Sequence, residues 1–268
     1  MIRRVLRTWA EDAAAFAVEL ARVDPSWGSE TFELAGGRVV LCGPGMYVNR
    51  ALAVGLDGQL STKELDQLER RSAAVGVPAA VEVTLATDPS VQSGLTDRGY
   101  QPGSETTAMR RSLDGIEREP DDSIVIRPAN TELLAIWQAT SALGWGHEDP
   151  ASRRASDVFS RVAATVDGEG LILASDAVDG RPIGCASLTV RHGVATLGGM
   201  STVPSERRRG VQAELIRYRL EASRSLGCEL ATTTTAAGGA SERNLIRHGF
   251  EPWFTITTYV RPHGSAGG

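Results

Sequence analysis

The stretch "PSERRRGVQAELI", Pro204 to Ile216, sets three consecutive arginines against a glycine at the start of a helical pattern. The chain as a whole carries a net charge of -5 over 268 residues, so this local excess of positive charge needs a reason. A helix start leaves amide N–H groups without partners, and the helix dipole adds partial positive charge there. Glycine lets a large anion come close to the backbone, and arginines add charge-assisted hydrogen bonds. Gly210, the amides of Val211, Gln212 and Ala213, and the side chains of Arg207, Arg208 and Arg209 are therefore the parts of a pyrophosphate cradle. No Gly-Lys-Ser/Thr follows, so this is not a Walker loop, and the three-glycine dinucleotide pattern is absent. Taken alone, the stretch also fits a solvated basic turn that opens a surface helix.

Composition narrows the classes. The chain is 41% hydrophobic and 23% charged, which is ordinary for a globular protein. Its acidic balance argues against a general nucleic-acid binder. Lys63 is the single lysine, so arginine supplies nearly all the positive charge, and arginine anchors anions better than it accepts protons. Cys42, Cys185 and Cys228 are far apart and odd in number, with no metal spacing and no disulfide framework. They read as small buried hydrophobes in a reducing cytoplasm. Near the N-terminus, Ile2, Leu6, Trp9, Ala13, Phe16 and Leu20 recur at helical spacing, and Glu11 and Asp12 interrupt any signal-like run. No stretch of about 18 apolar residues suggests a membrane span.

Outward from the arginines, the second half alternates strand and helix patterns. "SIVIRPAN" is a strand, "TELLAIWQATSAL" a helix with Thr131 as its cap, and "ASRRASDVFSRVAATV" a second helix. Three strands joined at "VDGR" and "RHGV" lead to the arginines. A helix over Val211 to Ser225, a strand at "CELATTTT", a short helix at "SERNLIRH" and closing strands at "FEPWF" and "TITTYVRP" follow. The first half repeats the order more faintly. "RVVLCG" and "ALAVGL" read as strands, Ser61 and Glu64 form a capping box for the next helix, and "LTDRGYQPGSETTAMRRSL" lays over "LIRHGFEPWFTITTYVRP". An internal duplication at about half the chain length is predicted. The charged segment between the halves, with Gly115 and Pro120, reads as a linker.

In this setting, a strand "ATLGGMSTVP", then "RRRGVQ", a helix, a strand and a helix ending in Gly-Phe, the sequence resembles the GNAT superfamily of acyl-CoA-dependent acyltransferases over about residues 123 to 262. The resemblance implies an α/β (α+β) fold: a mixed, mostly antiparallel sheet flanked by helices, here duplicated in tandem. It divides the chain into a degenerate GNAT-like domain, 1–117, without the glycine and arginines, and a catalytic domain, 123–265. It also implies transfer of an acetyl group from acetyl-CoA to a primary amine by direct attack, without a metal. Met200, Ser201 and Thr202 would pair with the pantetheine arm, Arg207 through Ala213 would hold the pyrophosphate, and Asn244 would assist. The tyrosine that many members place four residues before the glycine of Gly-Phe is Leu245 here.

Candidate bases and acids are correspondingly sparse. In "GWGHEDP", His147 and Glu148 suit a base in pKa or by tuning, while Asp149 and Pro150 equally suit the start of a helix. Tyr259 and His248 are alternative acids, His192 falls in a hairpin turn, and Glu206 is placed to pair with the arginines. Alternate members of Thr232 to Thr235 could line the slot. The expectation is a cytoplasmic N-acetyltransferase, monomer or homodimer, acting on a small-molecule or peptide amine, with no nucleic-acid or membrane partner. The alternative is a non-catalytic acyl-CoA-binding or interaction protein of the same fold.

Overall fold

The computed structural model describes residues 1–115 and 122–262. Its elements in chain order are α1 (Ile2–Val23), β1 (Glu30–Leu34), β2 (Gly37–Leu41), β3 (Arg50–Leu52), α2 (Thr62–Val75), β4 (Ala80–Thr84), α3 (Pro89–Asp97) and β5 (Gln101–Ser112). There follow β6 (Ile124–Pro128), α4 (Leu134–Trp145), α5 (Pro150–Ala163), β7 (Glu169–Asp176), β8 (Pro182–Arg191) and β9 (Val194–Thr202). The chain closes with α6 (Val211–Ser225), β10 (Leu230–Thr235), α7 (Ala240–Arg247) and β11 (Glu251–Val260). Strands mostly antiparallel and helices packed on them make the α/β class expected of the sequence.

Two compact units form: Met1–Ala108 with the chain from Trp253 onward, and Met109–Pro252. This differs from the contiguous division at 1–117 and 123–265. The middle of the proposed linker, residues 116–121, and the tail beyond residue 262 lie outside the described residues. Within the described chain, β11 belongs to the first unit, where Thr258 pairs with Glu82 and Tyr259 with Val81 of β4. Its inward side chains explain why: Phe254 and Ile256 pack with Leu6, Ala10 and Ala53, and Tyr259 with Leu34, Leu68 and Val81. In return the end of β5 serves the second unit. Met109 joins the core of Ile172, Leu215 and Phe250, and the Leu113 N–H donates to the Glu229 carbonyl.

In the first unit the strands run β1-β2-β3-β4-β11, and in the second β10-β9-β8-β7-β6. Each unit holds a parallel pair among its described residues, β3 with β4 and β9 with β10, and each pair is bridged by a helix, α2 or α6. A parallel pair needs such a crossover. The order strand, helix, strand, helix, strand is thus the same in β3-α2-β4-α3-β5 and β9-α6-β10-α7-β11.

Several local readings change for identifiable reasons. "ALAVGL" keeps only two strand residues, Ala51 and Leu52, because Ala53 and Gly55 take positive φ of 55° and 69°. The cap before α4 is Asn130, not Thr131: its side chain accepts from the Leu133 N–H at 3.3 Å and a 3₁₀ turn precedes the helix. "FEPWF" and "TITTYVRP" form one continuous strand, since nothing after Pro252 interrupts the ladder. The sequence signals also passed over β1. The Ser61 capping box and the Asp149 cap ahead of Pro150 are both present.

The placement of β11 has a direct test. Phe254→Ala removes a buried ring from the first unit and should cost about 3–5 kcal/mol there. Hydrogen exchange should show faster opening of α1 and β4 amides while Leu173 and Leu215 keep their protection. Loss of protection confined to the second unit would mean the strand was assigned to the wrong body.

Candidate functional site

The second unit's parallel pair is short. β9 and β10 register through Val194 with Leu230, Ala195 with Ala231, and Thr196 with Thr232, and the register stops there. Both strands continue, to Thr202 and Thr235, so they part. Two threonine hydroxyls of β10 reach across near the fork: Thr232 donates to the Ala195 carbonyl at 3.1 Å and Thr233 to the Leu197 carbonyl at 2.7 Å. On its other edge β9 also slips. Cys185 of β8 faces Ser201 and Ser187 faces Gly198, so β9 holds one residue more than β8 between these pairs. Gly199 lies in this bulge at φ 51°, a conformation that costs glycine little.

α6 begins just beyond the end of β9. Gly210 caps it at φ 82°, and no side chain caps the first turn. The amides at the start of a helix of 15 residues are therefore left to solvent or a ligand. Arg207, Arg208, Arg209 and Gly210 are exposed, Val211 is buried, and Gln212 and Ala213 are half-buried. The three arginines have different situations. Arg209 bonds Asp176 at 2.7 Å and also Glu206, which Arg181 bonds in turn. Arg207 donates to the Gly144 carbonyl at 3.3 Å. Arg208 holds φ 68°, a strained value for a residue with a Cβ, and forms no ion pair among the described residues.

These contacts bring the last turn of α4 to the end of β9. A Cβ on Gly144 would collide with the Ser201 side chain, so only glycine permits this approach. Ser201 Oγ lies 3.3 Å from Cys185 Sγ. Burial raises the Cys185 thiol to about 11, which keeps it protonated, and Cys42 is likewise raised to about 11. Three residues beyond Gly144, His147 is half-buried with Nδ1 buried and without a hydrogen-bond partner. Glu148 is exposed beside it. The structure thus gathers Met200 to Thr202, Arg207 to Ala213, and the loop of His147 and Glu148.

Other predicted residues lie elsewhere. Tyr259 is 8% exposed in the first unit's core and is not among the groups the second unit assembles. Asn244 is half-buried on α7, next to Leu245, which occupies the apolar core. His248 follows α7. Burial, then the charges of Arg217, Arg111 and Arg247, hold its pKa below the usual imidazole value. His192 sits at φ 50° in the β8–β9 turn. The sequence reading missed Arg219 and the bulge, although "LGGM" inside a strand pattern is a bulge signal. It also missed Asp176 and Arg181.

A model of the Acetyltransferase (GNAT) family matches residues 130–250, which contain the parted strands, the bulge and the uncapped helix. That segment is a little under half of the chain, and over it the sequence is similar to the GNAT acetyltransferases. The chain is 27% identical over 151 residues to the aminoglycoside N(6′)-acetyltransferase type 1 of Klebsiella aerogenes, covering 53% of this chain and 99% of that protein. Its fold is similar to a GCN5-related N-acetyltransferase from Kribbella flavida, at a TM-score of 0.66 and 18% identity over 96% of each chain. It is also similar to a tandem GNAT protein from the clavulanic acid biosynthesis pathway, at 0.58 and 16% identity, over 85% of this chain and 79% of that one. Among the described residues no helix is long and apolar enough to cross a membrane.

The acids that hold the arginine loop give it a pH dependence. A hydrogen bond from Arg209 lowers the Asp176 pKa most, and one from Arg181 that of Glu206. Both carboxylates are depressed, so their contribution is complete above the ordinary carboxylate pKa of about 4 and is lost as pH falls through the lower folded values. Glu206→Gln should therefore lower the thermal midpoint near neutrality, and the gap to wild type should close as pH falls from about 6 to about 3. A gap that stays constant over that range would mean the pairs do not stabilise the loop.

Proposed function

We propose that the second unit transfers an acetyl group from acetyl-CoA to a primary amine of a small molecule, by direct attack of the amine on the thioester. The observation that carries the reading is the parting of β9 and β10 beside a helix start that no side chain caps. The residues present fit the cosubstrate. The unpaired edge of Met200 to Thr202 suits an extended amide-bearing arm, which can add to it as a strand does. The Val211, Gln212 and Ala213 amides suit a pyrophosphate, and Gly210 gives it access. Arg208 adds an exposed positive charge, and Arg207 ties this corner to the last turn of α4. Arg209 is engaged by Asp176 and Glu206, so its part is to shape the loop.

When bound, acetyl-CoA supplies an activated acyl carbon with a good leaving group. The protein's part is to align the amine, receive its proton and stabilise charge on the carbonyl oxygen. His147 and Glu148 follow Gly144, which packs against Ser201 of β9, and the unpartnered Nδ1 of His147 is available to a proton or a water relay. The Klebsiella relative's name supports an aminosugar as the first acceptor to test. Leu245, packed in the core where many relatives carry a tyrosine, favours a second reading as a non-catalytic acyl-CoA-binding protein.

One assay separates the two. Thiol release from acetyl-CoA should accelerate with an aminoglycoside or another member of an amine panel. Acetyl-CoA binding without acceleration by any amine would contradict catalysis. Gly210→Asp places a carboxylate at the helix start and should abolish acetyl-CoA binding by calorimetry, while the unit still folds with its thermal midpoint lowered only by the strain of a side chain at φ 82°. Unchanged affinity would refute the cradle.

A further inference from the structure

Arg219 of α6 is 1% exposed and has no carboxylate partner among the described residues. A buried cation without an acid is costly unless its donors are well used. Those of Arg219 go to backbone and sulfur: Nε to the Leu215 carbonyl at 3.0 Å, one terminal nitrogen to the Ser187 and Gly198 carbonyls at 3.1 Å each, and the other to Met200 Sδ at 2.9 Å. Burial lowers its pKa to about 9, so it stays charged near neutrality. The guanidinium thus spans the bulge of β9, touching the strand before and after Gly199. Nothing in the packing of Leu215 and Leu220 beside it calls for a charge.

The bonds fix one peptide plane. The Leu197 carbonyl faces β10, because it accepts from Thr233 there. Successive carbonyls of a strand alternate sides, so that of Gly198 faces β8, where Arg219 holds it together with the Ser187 carbonyl. The peptide between Gly198 and Gly199 is trans. Its N–H therefore points opposite to its C=O, toward the β10 side where the strands have parted. Beyond that N–H the positive φ of Gly199 turns the chain, so no regular ladder aligns the plane from the C-terminal side.

A backbone N–H that holds the acyl carbonyl oxygen is already implied by the likeness to GNAT acetyltransferases; we propose that Arg219 is the positioning residue that aims such a donor, the Gly199 N–H, into the parting between β9 and β10. This rests on the acetyltransferase reading. As the amine forms its bond to the carbonyl carbon and the carbon–sulfur bond breaks to release the thiolate, charge passes through that oxygen. Arg219 exchanges no proton in the step. It keeps the donor in place before the charge develops, which is where such donors are most effective.

The test uses Arg219→Met, of similar length and without charge, and Arg219→Lys, which keeps the charge but lacks the planar fork that reaches Leu215, both carbonyls and Met200 at once. For Arg219→Met, kcat should fall by about 10²-fold, the scale of losing one such donor. KM for acetyl-CoA should change by less than about threefold, and the thermal midpoint should hold or rise, as replacing a buried charge by an apolar group commonly allows. Arg219→Lys should recover part of kcat, and it carries the test if the methionine variant does not fold. The amide resonance of Gly199 provides a readout without turnover: in wild type it should differ between the CoA-bound and acetyl-CoA-bound states, and in Arg219→Met that difference should vanish.

Wild-type kcat in Arg219→Met overturns the proposal, and so does a fall in kcat that merely tracks a fall in thermal midpoint or CoA affinity. A Gly199 amide indifferent to the acetyl group also overturns it. If wild type never releases thiol yet Gly199 senses the acetyl group through Arg219, the positioning role stands and the enzyme reading fails. Turnover with an Arg219-independent Gly199 signal gives the reverse.

Discussion

β9 leaves its parallel neighbour after three registered pairs, and what the second unit offers a ligand follows from that separation. Strand edges deprived of partners expose backbone donors and acceptors that must be satisfied by something. Around the fork the protein spends its own groups carefully. Thr232 and Thr233 bond the last carbonyls before the strands diverge, and Arg219 takes the carbonyls on the far side of the bulge. The donors and the strand edge facing the parting are left over. The helix that follows repeats the pattern, since its first amides have no side-chain cap. Two adjacent sets of unsatisfied backbone groups, one extended and one converging, match an extended amide arm that ends in a pyrophosphate.

The first unit shows what happens when the same order of elements lacks this arrangement. β3 and β4 are also parallel and also joined by a helix. Yet α2 begins at Ser61, whose hydroxyl accepts from the Glu64 N–H, while the Glu64 carboxylate accepts from the Ser61 N–H at 2.8 Å and the Ala35 N–H at 2.9 Å. The helix start is thereby satisfied from within, and a carboxylate stands where an anion would have to bind. A capping box and an anion cradle are alternative uses of the same orphan amides. The repeated order of elements and the divergent helix starts together explain why the candidate site lies in the second unit.

Much of this was legible in residues. The crossover helix over Val211 to Ser225, the capping box at Ser61 and the Asp149–Pro150 helix start are written in local chemistry, and they form as read. The exchange of terminal strands was not legible, because β5 and β11 have similar patterns and either could complete either sheet. Which one does is decided by side-chain fit around Phe254 and Met109, a property of the assembled cores. Tyr259 was misplaced for the same reason. Arg219 was hidden by convention: an arginine between Leu215 and Leu220 is ordinarily read as solvent-facing, and only the bulge on the facing strand gives it carbonyls to hold. The pairing of Glu206 with the arginines was read correctly, but the second partner of Arg209 was not, since Asp176 lies 33 residues away in the chain.

The central claim is that the parted strands and the uncapped helix form one binding surface for acyl-CoA. Amide hydrogen exchange with and without acetyl-CoA tests it most directly. The account predicts slowed exchange at Gly199 to Thr202 and at Val211 to Ala213 together, saturating at one ligand concentration, with α2 of the first unit unaffected. Protection at the α2 start, or none at either segment under saturating ligand, would contradict it.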